Sequence, residues 1–477
     1  MSHSTDFIAR SREALRDAEL QLALNKARSG FVEKRRKAVE QIANFDAMRA
    51  QAKAVREKSL ANLDTFLIRF EKNVIARGGH VHWARTPEEM RQIVVDLCRR
   101  HQVKQVSKGK SMVGEEVLLN EALEAAGINP IETDLGEYIL QIAREKPSHI
   151  VTPALHKTQR QIADLFLREH DLGKRELKQV EEIVNEARAI LRQKFLSADA
   201  GITGANILIA DTGTTVLVTN EGNGDLSANL PKTHIVTTSI EKVVETWGDA
   251  SAILRVLARS ATGQNITAYT SFFTGPKTAH DRDGPENFHI VLLDNRRSEI
   301  LGGEFRDMLR CIRCAACMNH CPVYQSVGGH SYNSVYPGPM GAVLTPLLFK
   351  DAGRQDDQLQ LANASTLCGR CEEVCPVQIP LPELLRKLRN KERIEVRANI
   401  TARLLNNAFC FVAKRPRLYR TVTAFGIGLL RRLGGSGGSF SSIPMMKAWT
   451  KYKDFPSPEK STFQELWQNR KKNGNGK

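Results

Sequence analysis

Seven of the nine cysteines fall in two short runs. The first reads Cys311-Ile-Arg-Cys314-Ala-Ala-Cys317-Met-Asn-His-Cys321-Pro322. The second reads Ser365-Thr-Leu-Cys368-Gly-Arg-Cys371-Glu-Glu-Val-Cys375-Pro376. Three thiolates at C-x2-C-x2-C spacing, a fourth after three more residues, and Pro directly behind it form the ligand run of an iron–sulfur cubane. The iron corners of a cubane lie close together, so one tight loop can lay three thiolates on three of them. The fourth Cys begins the departure of the chain. Pro322 and Pro376 remove a backbone donor there and fix the exit direction. Cys98 and Cys410 lie far from both runs.

In two-cluster ferredoxins the fourth Cys of a run serves the other cluster. Applied here, that rule gives Cys311, Cys314, Cys317 and Cys375 to one [4Fe-4S] cluster and Cys321, Cys368 and Cys371 to a second. The second run is one thiolate short, with Ser365 where the pattern wants its first Cys. A serine hydroxyl is hard to deprotonate near neutral pH and is a poorer iron ligand. Three outcomes stay open: a labile iron, completion by Ser365 or an outside group, or a [3Fe-4S] form. Structural zinc is the plainer alternative. However, four thiolates between Cys311 and Cys321 are too compressed for one tetrahedral site. A disulfide framework suits a short secreted chain, whereas this one is long and shows no secretory signal, so reduced thiols and a cytoplasmic setting are expected.

The elements that must hold these loops follow from hydrophobic spacing. Residues 1–77 read as helical, with Phe31, Ala38, Ile42, Phe45, Leu60, Leu63, Phe66, Leu67 and Phe70 at helical intervals among charged residues. Residues 78–300 alternate strand and helix, which argues an α/β domain on a largely parallel sheet. Strands are expected at His80–Ala84, Val103–Val106, Pro130–Thr133, His149–Thr152, Ile207–Ala210, Thr214–Thr219, His234–Thr238, Ile266–Phe272 and His289–Leu293. Helices are expected at Glu115–Ala126, Leu177–Leu196 and Glu241–Arg259. Residues 301–395 form the two-cluster module, entered through a helical segment at Glu304–Arg310. Its Gly/Pro-rich insert, with His330, Tyr332 and Tyr336-Pro-Gly-Pro339, is expected to wrap the clusters or form a docking face, with His330 and Tyr332 beside an electron exit or packing at the surface. Residues 396–477 are basic. Their apolar run Thr421–Leu430 is too short to span a bilayer and suits a membrane surface or a partner. Gly434–Ser439 reads as a flexible linker to a polar, disordered tail.

Other candidate sites in the α/β domain are weaker. Lys108-Gly109-Lys110-Ser111 leads into a helix and suits an anion, but it lacks the spacing of an ATP-binding loop. Asp211-Thr-Gly213 and Asn220–Gly224 are Gly-rich turns whose composition ordinary turn chemistry explains. Glu221, Lys232 and His234 are the polar residues nearest them. No GxGxxG follows a strand, so a Rossmann cofactor is unsupported. The formal charge of +16 comes with no nucleic-acid-binding signature. It points instead to an acidic partner or an anionic membrane.

Thr133-Asp-Leu-Gly-Glu-Tyr-Ile139, Thr203-Gly-Ala-Asn206, Thr219-Asn-Glu-Gly222 and Leu230-Pro-Lys-Thr-His234 precede the cysteine runs. Gly328-Gly-His330 and Tyr336-Pro-Gly-Pro339 follow the first run. Together these segments resemble the lactate utilization protein B family over nearly the whole chain. The resemblance implies a LUD-type α/β domain of the sugar-isomerase and CoA-transferase kind. It also implies an iron–sulfur subunit that oxidises L-lactate to pyruvate with two other proteins, one rich in cysteine motifs and one sharing the α/β domain. No hydride-accepting cofactor is legible, so an electron-transfer subunit is favoured over a complete dehydrogenase. The electron acceptor is not legible either. The other class of reading is a ligand-binding α/β protein with redox-sensing clusters.

Overall fold

A computed structural model describes residues 7–173, 175–349, 358–395, 400–433, 438–443, 450, 453–458 and 461–474. It divides into two units, Met1–Glu392 and Arg393–Lys477.

In the first unit, four helices lead: α1 (Phe7–Ala14), α2 (Ala18–Glu40), α3 (Phe45–Ala61) and α4 (Leu63–Ala76). Asp17 and Asn44 cap α2 and α3 by accepting from Leu20 and Ala47 N–H, as expected of N-cap side chains. Ten strands follow: β1 (His80–Ala84), β2 (Gln105–Lys108), β3 (Asn129–Glu132), β4 (Ala200–Gly204), β5 (Ile207–Ile209), β6 (Thr214–Thr219), β7 (Thr233–Ser239), β8 (Val243–Val244), β9 (Tyr269–Phe273) and β10 (Asn287–Leu293). The main sheet is parallel throughout, in the order β1-β10-β7-β4-β2-β3. A smaller sheet, β8-β5-β6-β9, mixes parallel and antiparallel pairs and is not expected from the sequence.

Parallel sheets need both faces covered, and the register of β10 shows how. Val291 and Leu293 join Met90, Val94, Leu97, Leu119 and Leu123 on one face. Ile290 and Leu292 join Phe66, Phe70 and Val74 of α4 on the other. Each such side chain contributes roughly 1.5–3 kcal/mol by burial. The helical lead therefore does not stand apart, because α4 is a layer of the α/β domain.

Several expectations need correction. His149–Thr152 is not a strand, because His149 Nδ1 accepts from the N–H of Val151 (3.1 Å) and Thr152 (3.0 Å) and curls the chain. The helix expected at Glu115–Ala126 is two, Met112–Glu116 and Leu119–Ala125, broken by left-handed Leu118. The one expected at Glu241–Arg259 is a 3-10 turn, the short strand β8 and the helix Trp247–Ala261. The Gly/Pro-rich insert is helical at Pro322–Val327 and Gly338–Leu348. Tyr332 and Tyr336 within it are buried, which removes them from any docking face.

The second unit has helices Ile400–Ala413, Pro416–Leu433 and Phe463–Gly474 and a two-residue strand pair. Thr421–Leu430 is thus part of a longer helix, and the tail is helical through Gly474. Gly434–Gly437 of the expected linker and residues 475–477 lie outside the described residues. Among the described residues, no helix is long and apolar enough to cross a membrane.

Candidate iron–sulfur site

The chain enters the first cysteine loop from a 3-10 turn at Arg306–Arg310. It then adopts left-handed backbone at Arg313 (φ 58°) and Ala315 (φ 62°). Neither is Gly, so each costs about 1 kcal/mol or more. Cys311, Cys314, Cys317 and Cys375 line one cavity together with Ile312, Met340, Val377, Ile379 and Leu381. The fourth thiol therefore comes from the second loop. Cys371 lies close enough to Cys321 and Cys368 to feel their charge, and Cys317 feels that of Cys371. Two groups of thiols thus adjoin.

The second loop repeats the first residue for residue. Left-handed Leu367 (φ 55°) and Gly369 (φ 86°) match Arg313 and Ala315. The helical turn Arg370–Glu373 matches Ala316–Asn319. The N–H of Leu367 donates to Ser365 Oγ (3.1 Å), as that of Arg313 does to Cys311 Sγ (3.5 Å).

The donors fit a cluster better than a single ion. Among the described residues, no three His, Cys, Asp or Glu converge as one metal ion requires. The thiols surround a space, as a cubane needs, whereas zinc sits about 2.3 Å from each sulfur. Burial pushes the Cys314, Cys317, Cys321 and Cys375 thiols up, and Cys371 to about 12. Iron uptake at these positions displaces protons. Exposed Cys368 is shifted the other way, first by the Arg370 N–H and then by the Thr366 hydroxyl.

Guanidinium groups collar the first group of thiols. Arg35 of α2 donates to Val374 O (3.0 Å). Arg49 of α3 donates to Cys375 O (2.9 Å) and Glu373 O (2.7 Å). Arg56 of α3, 2% exposed, donates to Leu309 O (2.9 Å) and to Glu241 O. Arg313 lines the cavity, stacks on Tyr336 (5.0 Å) and pairs with Glu241 (3.4 Å). Positive charge beside a thiolate-bound cluster favours its reduced, more negative state.

Residues 307–379 match the family described as 4Fe-4S dicluster domain. Residues 67–293 match the LUD domain, and residues 385–472 match the domain described as Lactate utilisation protein B, C-terminal. Proteins named Lactate utilization protein B from Bacillus licheniformis and Bacillus subtilis are 44% and 46% identical to the chain. The alignments cover 98% and 94% of this chain and 97% and 93% of theirs. The chain belongs to the lactate utilization protein B family.

In this member of the family, a strap from Glu145 to Lys157 ties the LUD domain to the cluster loops. His149 Nε2 bonds Asn319 Oδ1 (2.8 Å), between Cys317 and Cys321. Tyr324 Oη donates to Ser148 O (2.7 Å). Gly329 approaches so closely that a Cβ there would sit 1.7 Å from Ser148 O. His330 Nε2 bonds Lys146 O (2.7 Å). The Gly328-Gly-His330 motif is therefore a fastening, with His330 on the strap. Tyr332 packs within electrostatic reach of Cys321. Ser148, His156 and Glu145 are linked like a hydrolytic triad, but Ser148 is 2% exposed and donates to Pro153 O (3.0 Å), so it is part of the same fastening.

Two of the candidate anion turns adjoin: Gly109 packs toward the Gly224 backbone, and Glu221 lies within electrostatic reach of Lys110. Lys108 Nζ is buried between Glu132 (2.5 Å) and Glu115 (2.7 Å), which neutralise it. Lys110 Nζ lies 3.3 Å from Glu137, whose carboxyl burial pushes up to about 8, and is itself buried with no hydrogen-bond partner among the described residues. His234 is fully buried against Thr203 Oγ1 (2.8 Å), and burial lowers it to about 3, which keeps it a neutral core histidine. Glu221 accepts from Leu135 N–H, and Lys232 is exposed. Gly213 packs on the α4 backbone, as a turn glycine. Cys98 is core and Cys410 is exposed. The arginine collar is the feature that spacing alone missed. Its one signal was Arg56, a charge inside the helical stripe Met48–Ala52–Val55–Leu60 of α3.

Proposed function

We propose that the protein is the iron–sulfur electron-transfer subunit of a system that oxidises L-lactate to pyruvate. Two [4Fe-4S] clusters would occupy the two thiol groups, one on Cys311, Cys314, Cys317 and Cys375, the other on Cys321, Cys368 and Cys371. When bound, each would carry one electron at a time. The observation that carries the reading is the adjacency of the two groups within one module, which is what a wire needs. The chain's own residues hold the loops, line the first cavity with apolar side chains, and balance the cluster charge with arginines. Two partners are proposed, a cysteine-motif-rich protein and a second LUD-domain protein, in a cytoplasmic complex with an acceptor still to be identified. Contact with the inner face of the membrane is supported by the helix Pro416–Leu433, which exposes Val422, Phe425 and Leu429 beside Arg417, Arg420, Arg431 and Arg432. The test is anaerobic mixing with L-lactate. Bleaching of the cluster absorbance only when both partners are added supports the reading. Bleaching of this chain alone, or no bleaching with the complete set, opposes it.

A further inference from the structure

The second loop lacks a thiolate but keeps the backbone that would present one. Its left-handed residues, its helical turn and its side-chain-accepted N–H all recur at the positions they hold in the first loop. Ser365 stands where Cys311 stands. Its hydroxyl already accepts from the N–H two residues on, as the Cys311 thiol does. The loop is anchored from behind, since Arg389 donates to Ser365 O (2.6 Å) and Ala362 O (3.0 Å). A neighbouring hydroxyl competes for attention. Thr366 is spoken for by Cys368, to which it hydrogen-bonds.

We propose that Ser365 is the fourth ligand of the second cluster, making one iron of that cluster oxygen-ligated and exchangeable. The iron–oxygen bond forms as the hydroxyl proton passes to water, with no change in oxidation state. Oxygen holds iron in a cubane less firmly than thiolate does, and this corner belongs to the loop whose Cys368 is exposed to water. The first cluster, with four thiolates and an apolar lining, has no such corner. The proposal rests on the two-cluster reading above.

The experiment compares the parent chain with Ser365→Cys, Ser365→Ala and Thr366→Ala, each assembled with iron and sulfide without air. Each is oxidised mildly, offered enriched 57Fe(II), and followed by EPR and Mössbauer spectroscopy. In the parent, a three-iron signal is expected on oxidation, and 57Fe restores one distinct iron with oxygen-type parameters. Ser365→Cys should resist iron loss at least tenfold longer. Ser365→Ala should lose that iron faster and lack the oxygen-type parameters after refilling, while Thr366→Ala, which removes a hydrogen bond to Cys368, should keep the oxygen-type parameters. Equal iron loss in parent and Ser365→Cys overturns the proposal, as does a Ser365→Ala spectrum identical to the parent's. So does a loss of the oxygen-type parameters confined to Thr366→Ala. Should Ser365→Cys fail to assemble, the two alanine variants still decide. A parent chain that takes up no iron and sulfide would instead sink the two-cluster reading itself.

Discussion

Arg297→Met should destabilise the protein severely, in a way that depends on pH. Arg297 is fully buried and makes a bidentate pair with Glu116 (2.7 and 2.9 Å) and a second pair with Glu241 (2.9 Å). Burial pushes both carboxyls up, but the facing arginines outweigh it and hold Glu241 at about 2. Removing Arg297 leaves Glu116 with Tyr336 Oη (2.6 Å) and Asn295 (2.6 Å), and Glu241 with Arg313 (3.4 Å). Breaking a buried pair from one side costs about 3–5 kcal/mol, a large part of the stability of a typical domain. The sign with pH follows. In the parent, Glu241 titrates below its unfolded value, so its contribution is complete above about pH 4.5 and is lost as pH falls toward 2. In the variant, Glu241 keeps Arg313 and Lys242, but Glu116 loses its main compensating charge, so burial dominates there, Glu116 titrates above its unfolded value, and the variant regains stability on acidification. Guanidinium denaturation at pH 8 and pH 5, followed by far-UV circular dichroism, should show a smaller penalty at pH 5. A penalty below about 1 kcal/mol at pH 8, or one equal at both values, would refute the reasoning.

Other predictions are independent of that network. Gly329→Ala should cost about 3 kcal/mol or more, because its Cβ meets Ser148 O, and should raise hydrogen exchange across residues 145–157; unchanged exchange there would contradict the fastening. Burial first, then His82, His80, His101 and Arg100, hold His289 at about 3, and burial also lowers His82 and His101. The unfolded chain therefore binds more protons below about pH 6.5, and stability should fall from there toward pH 3 by at most about 1.4 kcal/mol per pH unit for His289, less for the more exposed rings, which water screens. His289→Gln should flatten that slope in thermal melts. Arg35→Met should lower the midpoint potential of the cluster on Cys311, Cys314, Cys317 and Cys375, while Arg35→Lys should keep it near the parent value; an EPR-monitored redox titration in which Arg35→Met shifts nothing would remove the collar's electrostatic role.

What the sequence could reveal depended on the range of the signal. Cysteine spacing within a loop is local, so both loops and the missing thiolate at Ser365 were legible. The parallel sheet was legible from apolar strands between helices, except β4. Its Ala-Gly-Ile-Thr-Gly is small and wholly buried, with Gly201 pressed to within 1.6 Å of Ser227 O if given a Cβ. It therefore shows no alternation to detect. His149–Thr152 looked like a strand because its composition is strand-like. One imidazole capturing two backbone N–H groups overrode that propensity. The arginine collar is long-range: Arg35, Arg49 and Arg56 meet loops some three hundred residues away, and a surface-like residue type gives no warning of that.

The most direct test of the central claim is iron and acid-labile sulfide content with EPR, on protein prepared without air and reduced with dithionite. The account predicts about eight iron and eight sulfide per chain and a spectrum of two interacting reduced cubanes. Zinc without sulfide, or the spectrum of a single isolated cluster at about four iron per chain, would contradict it.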